Sequence, residues 1–234
     1  MPNTVIWMEF KLACSIVIPT YRHWELCHSL LYDIYNKFPN STEVIVVDDY
    51  SQDAETSGGL SWWKENALKD RLQVFTNTTN LGFLKSSNLG VSKASGDVVI
   101  LISTDVTIID YKVIEKVYAR LEDTPTLVGV RLLDYDTGWN KIGDKIYPYL
   151  EGWFLAFRKK DWDKFGGFDE TFAPNDFEDV DLATTYLANG GKLATIDTHI
   201  THLGGQSIGF TDARMMLTET NKVKFKNKWT KEKI

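Results

Sequence analysis

Three sets of carboxylates in this 234-residue chain sit where an apolar run ends or a helical one begins. Asp48 and Asp49 close the run "EVIVVDD", and Asp105 follows "GDVVILIST". Asp176, Glu178, Asp179 and Asp181 crowd into "NDFEDVDL", where helical periodicity starts. At the C-terminal end of a sheet strand, a carboxylate can accept hydrogen bonds from a base or a ribose, or hold a hard cation through oxygen. A single acid there is more often a turn or helix cap, but acids on two strand ends at one sheet edge favour a site. Capping and the helix dipole account for two acids of "NDFEDVDL"; four exceed that need, and one can serve as general base toward a hydroxyl. His202, in "HLGGQSIG", is either structural or a ligand to a transition-type cation, the glycines beside it allowing close backbone approach. His23, His28 and His199 lack such a setting and read as structural.

Positioning these groups requires a sheet. "CSIVIPTY" reads as a first strand, and Trp24 to Lys37 has helical periodicity through Trp24, Leu26, Cys27, Leu30, Leu31 and Ile34. "EVIVVDDYS" is a second strand, residues 60–69 a helix, and "RLQVFTN" a third strand. "NLGFLKSSNLGVSKASG" is a turn and a helix, "DVVILIS" a fourth strand, residues 111–121 a helix, and "TLVGVRLL" a fifth strand. Strands alternating with helices at this spacing predict an α/β fold with a Rossmann-like, mostly parallel sheet. The second half is irregular. "LDYDTGWNKIGDKIYPYLEG" suits a hairpin or flexible loop near a site, "GWFLAFRKKDW" holds a short strand, and "FEDVDLATTYLANGG" is a helix followed by strands at "KLATI" and "THITHL". The sequence reads as a single domain over 1–234, with a regular half over about 12–132, an irregular half over about 133–210, and a Lys-rich helix over 211–234.

Bulk properties remove several classes. A formal net charge of −6 argues against general nucleic-acid binding. The two cysteines, Cys14 and Cys27, lie in apolar runs and read as buried thiols, which points to a reducing, cytoplasmic setting. The start "MPNTVIWMEFKL" does not have the pattern of a signal peptide, and no run reaches the roughly 20 apolar residues of a membrane span. There is no G-x-G-x-x-G and no G-x-x-x-x-G-K-[ST]. A bound nucleotide diphosphate therefore needs another counter-charge, which a divalent cation held by Asp105 would supply.

Taken together, "SIVIPTYR", "EVIVVDDYSQD", "NLGFLKSSNLGVSKASGD", "STDV", "GGFDETF" and "FEDVDL" resemble, in order and spacing, the family-2 inverting glycosyltransferases of A-type (GT-A) fold. The rhamnosyltransferase-like branch is the nearest in pattern. The resemblance implies a metal-dependent enzyme that moves a sugar from a nucleotide diphosphate sugar to a hydroxyl of a glycan or lipid-linked acceptor. It implies that Pro19 and Tyr21 line the nucleotide pocket, that Asp49 contacts the base with Asp48 in support, and that Lys85 and Asn88 lie near the donor. Ser103-Thr104-Asp105 takes the place of the family's D-x-D motif, with Ser103 replacing the first acid. Asp105 and His202 would hold Mn²⁺ or Mg²⁺, Asp179 would be the base with Glu178 in support, and Trp153 would lie near the acceptor.

Two rivals belong to other classes. A nucleotidyltransferase that forms sugar nucleotides usually brings a basic glycine-rich loop near its N-terminus, where "PTYRHWEL" offers only Arg22. A catalytically inactive sugar- or nucleotide-binding module draws support from Ser103, against retention of Asp105, Asp179 and His202. The end "NKVKFKNKWTKEKI", with six lysines, reads as a solvated helix that could rest on an anionic lipid surface.

Overall fold

The computed structural model describes residues 13–204, 209 and 211–230; the N-terminal stretch considered above as a signal peptide lies outside them. Strands β1 (Cys14–Thr20), β2 (Glu43–Asp48), β3 (Leu72–Thr76) and β4 (Val98–Ile102) alternate with helices α1 (Trp24–Lys37), α2 (Ala54–Trp62) and α3 (Phe83–Lys93). Next come β5 (Val106–Ile108), α4 (Val113–Tyr118), β6 (Thr126–Gly129), β7 (Leu132–Leu133), β8 (Lys141–Ile142), β9 (Lys145–Ile146), β10 (Tyr149–Leu150), β11 (Phe154–Arg158) and α5 (Lys159–Phe165). The last elements are α6 (Glu178–Ala188), β12 (Lys192–Thr195), β13 (Ile200–His202) and α7 (Asp212–Trp229).

Seven strands form the central sheet in the order β12-β6-β11-β4-β1-β2-β3. Neighbours pair in parallel except at β11, which runs antiparallel to both β4 and β6. The Val/Ile-rich runs of β1, β2 and β4 are buried along nearly their whole length, as expected of strands covered on both faces. Their alternate residues feed two cores. Ile16, Ile18, Val44, Val46 and Ile100 pack toward Cys27, Leu30, Leu31 and Ile34 of α1. Val17, Ile45, Val47, Val99 and Leu101 pack toward Leu84 and Val91 of α3 and Leu182 of α6. Both cysteines are buried free thiols.

The helix expected over 60–69 starts six residues earlier. Asp53 caps it, its carboxylate accepting from the Thr56 N–H at 2.7 Å. Gly59 does not break the helix; a Cβ there would fall 2.0 Å from the Trp24 ring, so the glycine lets α2 close on α1. A wider π turn at Trp63–Ala67 ends the helix. The run "TLVGVRLL" is split into β6 and β7 rather than forming one strand.

The solvated reading of the Lys-rich end is overturned within the described residues. Asn221, Phe225 and Trp229, spaced by four, form a buried stripe on α7. Its lysines turn onto the protein: Lys222 donates to the Gly138 carbonyl at 2.8 Å, and Lys224 to that of Thr171 at 2.7 Å. Lys228 bridges Asp169 at 2.8 Å and Asp181 at 2.9 Å. Lys231 and Lys233 lie outside the described residues. Among those residues, no helix is long and apolar enough to cross a membrane.

Candidate active site

From β1 the strand order runs one way to β2 and β3, then, after the crossover through α3, the other way to β4. Such a switch point opens a crevice at the carboxyl ends of the strands. A cleft of about 680 Å³ lies there. Pro19, Thr20 and Tyr21 reach it from β1, and Ser103, Thr104 and Asp105 from β4. Because β11 is reversed, its beginning reaches the same edge: Gly152 and Trp153 line the cleft, and the Ser103 N–H donates to the Trp153 carbonyl at 2.9 Å. One antiparallel strand thus carries second-half residues to an edge built by the first half.

The acids after β2 are largely engaged by the chain itself. Asp48 accepts from the Ser51 N–H at 3.1 Å and the Ser51 hydroxyl at 2.5 Å, and it faces a separate cavity beside α2. Asp49 lines the cleft, but its carboxylate accepts from the N–H groups of Leu81 at 2.7 Å and Gly82 at 2.8 Å and from the Asn77 amide at 2.8 Å. Those three bonds fix the "NLG" turn that opens α3. Gly82 is required there twice: its φ is +85°, and a Cβ would stand 2.5 Å from Cβ of Pro174. Of the helix that follows, Phe83 and Ser86 face the cleft. Lys85 and Asn88 do not line it, for a reason of helical phase. Asn88 instead donates to the Phe168 carbonyl at 2.9 Å and accepts from the Phe168 N–H at 3.1 Å, tying α3 to the segment before α6.

Asp105 and His202 come together through a small antiparallel pair, β5 with β13, whose register sets Val106 opposite His202. The Leu203 N–H donates to the Asp105 carbonyl at 3.0 Å, and His202 Nε2 lies 3.3 Å from Asp105 Oδ1. Trp153 stacks on the His202 ring, with centroids 4.8 Å apart and planes 16° apart. The Trp153 indole is itself anchored by a 2.9 Å bond to Glu151. Among the described residues no group of three or more His, Cys, Asp and Glu converges. Among the described residues this corner offers one carboxylate and one imidazole. That set suits Mn²⁺ or Mg²⁺ completing its shell with diphosphate oxygens and water, and it is too small for a structural metal cage.

Opposite this pair stands the start of α6. The Asp179 carboxylate accepts from the Val180 N–H at 2.8 Å and the Gly152 N–H at 3.2 Å. Gly152 gives it room, since a Cβ there would touch Cβ of Asp179 at 3.4 Å. Burial raises the Asp179 pKa, and the nearby Asp176 charge adds to it; the two backbone N–H groups oppose them, leaving it at about 7. Glu178 is pushed well above the ordinary range, first by burial and then by the Asp179 charge, and its Oε2 is buried without a hydrogen-bond partner. Burial thus favours the protonated form of Glu178, while Asp179 is poised to gain or lose a proton.

Sequence reasoning missed Arg214, which reaches the cleft from α7 and grips Asp176 at 2.9 and 3.2 Å. Burial works to raise Asp176, but hydrogen bonds from Arg214 and Thr218 outweigh it and hold the carboxyl below the ordinary range. Asn221 donates to the carbonyls of Phe172, Asn175 and Asp176, at 2.7 to 2.9 Å. Helix α7 therefore clamps the loop that presents Glu178 and Asp179. The spacing of Asn221, Phe225 and Trp229 was the available signal.

The described geometry agrees with what the chain matches. Its fold is shared with a mannosyltransferase from Pyrobaculum calidifontis in complex with GDP-Man and Mn²⁺, at TM-score 0.66 and 21% identity over 80% of this chain and 55% of that one. GalNAc-T7, solved with UDP, GalNAc and Mn²⁺, superposes at TM-score 0.74 and 16% identity over 97% and 49%. S. aureus TarS 1-349 does so at 0.60 and 19% over 80% and 58%. The chain thus spans about half to three-fifths of the length of these proteins. No curated protein matches the chain. Residues 15–181 match the sequence pattern of Glycosyl transferase family 2, and on that match over most of its length the chain belongs to this family.

Proposed function

We propose that this chain is an inverting, divalent-cation-dependent glycosyltransferase that moves a sugar from a nucleotide diphosphate sugar to an acceptor hydroxyl. The observation that carries the reading is the pairing across one cleft of Asp105 and His202 with an Asp179 held near pKa 7. Tyr21, Asn80 and Phe83 offer the donor a wall of aromatic and polar groups on the β1–α3 side. Asp105 and His202 would hold the cation, which would offset the charge of the diphosphate.

Asp179 acts as the base. It takes the proton of the acceptor hydroxyl while that oxygen bonds to the anomeric carbon. The bond from that carbon to the diphosphate breaks as this happens, its electron pair leaving with the phosphate oxygen, so the configuration inverts. A base with a pKa near the working pH gives the best compromise between being ionised and accepting a proton. The raised pKa of Glu178 beside it disfavours a second negative charge in the site.

Incubation with Mn²⁺ and a panel of UDP-, GDP- and dTDP-sugars, with nucleoside diphosphate release as readout, tests this reading. Release with one donor, lost on chelation by EDTA, is the expected result. Absence of release from every donor, or full release in EDTA, overturns it. Release of pyrophosphate from a sugar phosphate and a nucleoside triphosphate would instead favour a nucleotidyltransferase.

A further inference from the structure

We infer that Trp139 is the platform of the acceptor subsite and that the acceptor is a carbohydrate whose pyranose ring stacks on this indole. The inference rests on the glycosyltransferase reading and adds the acceptor class to it. Trp139 is 45% exposed yet lines the cleft, at the tip of the turn between β7 and β8. Loops carry binding residues, and an indole that lines a cleft offers a broad apolar face with a polar edge.

The turn is built to hold that indole still. Asn140, with no exposed surface, accepts from the Thr137 N–H at 3.0 Å and the Thr137 hydroxyl at 2.8 Å. Its amide donates to the carbonyls of Leu133, Tyr135 and Tyr147, at 3.0 to 3.3 Å. From α7, Lys222 binds the Gly138 carbonyl at 2.8 Å and lies 5.8 Å from the centre of the Trp139 ring.

The platform stands on the base side of the cleft. Tyr149, Gly152 and Asp179 line the same cleft as Trp139, and the Gly152 N–H donates to Asp179 at 3.2 Å. The other cleft indole, Trp153, has a face taken by His202. Trp139, over whose ring Lys222 stands, keeps 45% of its surface exposed to receive an acceptor. A pyranose ring carries a face of C–H bonds edged by hydroxyls, which fits an indole flanked by polar groups. Glu151 supplies such a group, its carboxylate already oriented by Trp153 at 2.9 Å and Arg131 at 3.3 Å, with lone pairs left for a sugar hydroxyl.

Two measurements test the inference. Ligand-observed NMR with a set of para-nitrophenyl pyranosides, needing neither donor nor turnover, should show binding to wild type that Trp139→Ala weakens about tenfold. Trp139→Phe should retain most of it, and Trp62→Ala, an exposed indole on α2 away from the cleft, should change nothing. Pyranoside-stimulated nucleoside diphosphate release should then show a KM for the pyranoside raised by a similar factor in Trp139→Ala, with the KM for the donor unchanged. Failure of every donor to turn over would defeat the glycosyltransferase reading, while the NMR result still decides the subsite. Equal pyranoside binding by wild type and Trp139→Ala, or stimulation by a Ser/Thr peptide or a polyprenyl phosphate but by no pyranoside, overturns the inference.

Discussion

Asp49 and Asp179 line the same cleft, yet the fold treats them in opposite ways. Asp49 receives two backbone N–H groups and an amide, all within 2.8 Å, and ties down the start of α3. Asp179 receives two N–H groups, one as far as 3.2 Å, and stands close to Asp176 and Glu178. One carboxylate is spent on holding the chain; the other is kept close to its protonation midpoint. Residue type and position at a sheet edge do not separate these roles. The number and source of the donors around each acid do.

Replacing Asp179 by Asn should break the contrast most severely. Turnover is expected to fall about 10²–10⁴-fold, the usual contribution of a positioned base, with donor affinity by calorimetry unchanged. Near-normal turnover would leave Asp179 as a helix-start acid and nothing more.

Asp49→Ala should act on the fold. Two partly buried N–H groups and the buried Asn77 amide lose their acceptor, so urea unfolding should report a loss of about 2–4 kcal/mol. Unchanged stability would mean the turn does not depend on it.

Asp181, two positions past Asp179, holds the C-terminal helix in place. Its carboxylate accepts from Lys228 at 2.9 Å and from the Trp229 indole at 2.7 Å, locking α7 down. Asp181→Asn keeps the indole bond and loses the ion pair, while Lys228 retains Asp169. A loss of about 1–2 kcal/mol is expected, with transfer retained below the melting range. Abolished transfer in the folded variant would move the base to Asp181.

The smallest effect follows from linkage. Asp179 has a folded pKa of about 7 against an ordinary 3.8, so the folded state holds its proton more tightly than the unfolded one. Its contribution to stability is full below about 4 and is lost as pH rises through 7. Asp179→Asn, which stays neutral, should therefore melt above wild type at pH 8, with the advantage shrinking as pH falls through 7 and vanishing near pH 4. The reverse order would show that the carboxylate is welcome in its ionised form.

The regular half of the fold was legible because its signals are local. Val/Ile runs buried on both faces announce β1, β2 and β4, and the spacing of Cys27, Leu30, Leu31 and Ile34 announces α1. Where a tertiary contact sets the structure, the reading slipped. The Gly58-Gly59 pair hid α2, because nothing local reveals that Gly59 makes room for Trp24. Six lysines hid the inner face of the C-terminal helix, whose buried stripe of Asn221, Phe225 and Trp229 faces residues far away in sequence. The acids of the site were visible as residues. Their states were not, since burial of Glu178, the Arg214 grip on Asp176 and the bonds to Asp49 arise only when distant segments meet.

The central claim is that Asp179 is held near neutrality as a base. Labelling aspartate carboxyl carbons with ¹³C and following them by NMR from pH 3 to 9 tests it most directly. A resonance titrating close to pH 7 and absent from the spectrum of Asp179→Asn is the expected result. A spectrum in which Asp179 titrates near 4 like an ordinary aspartate would contradict it.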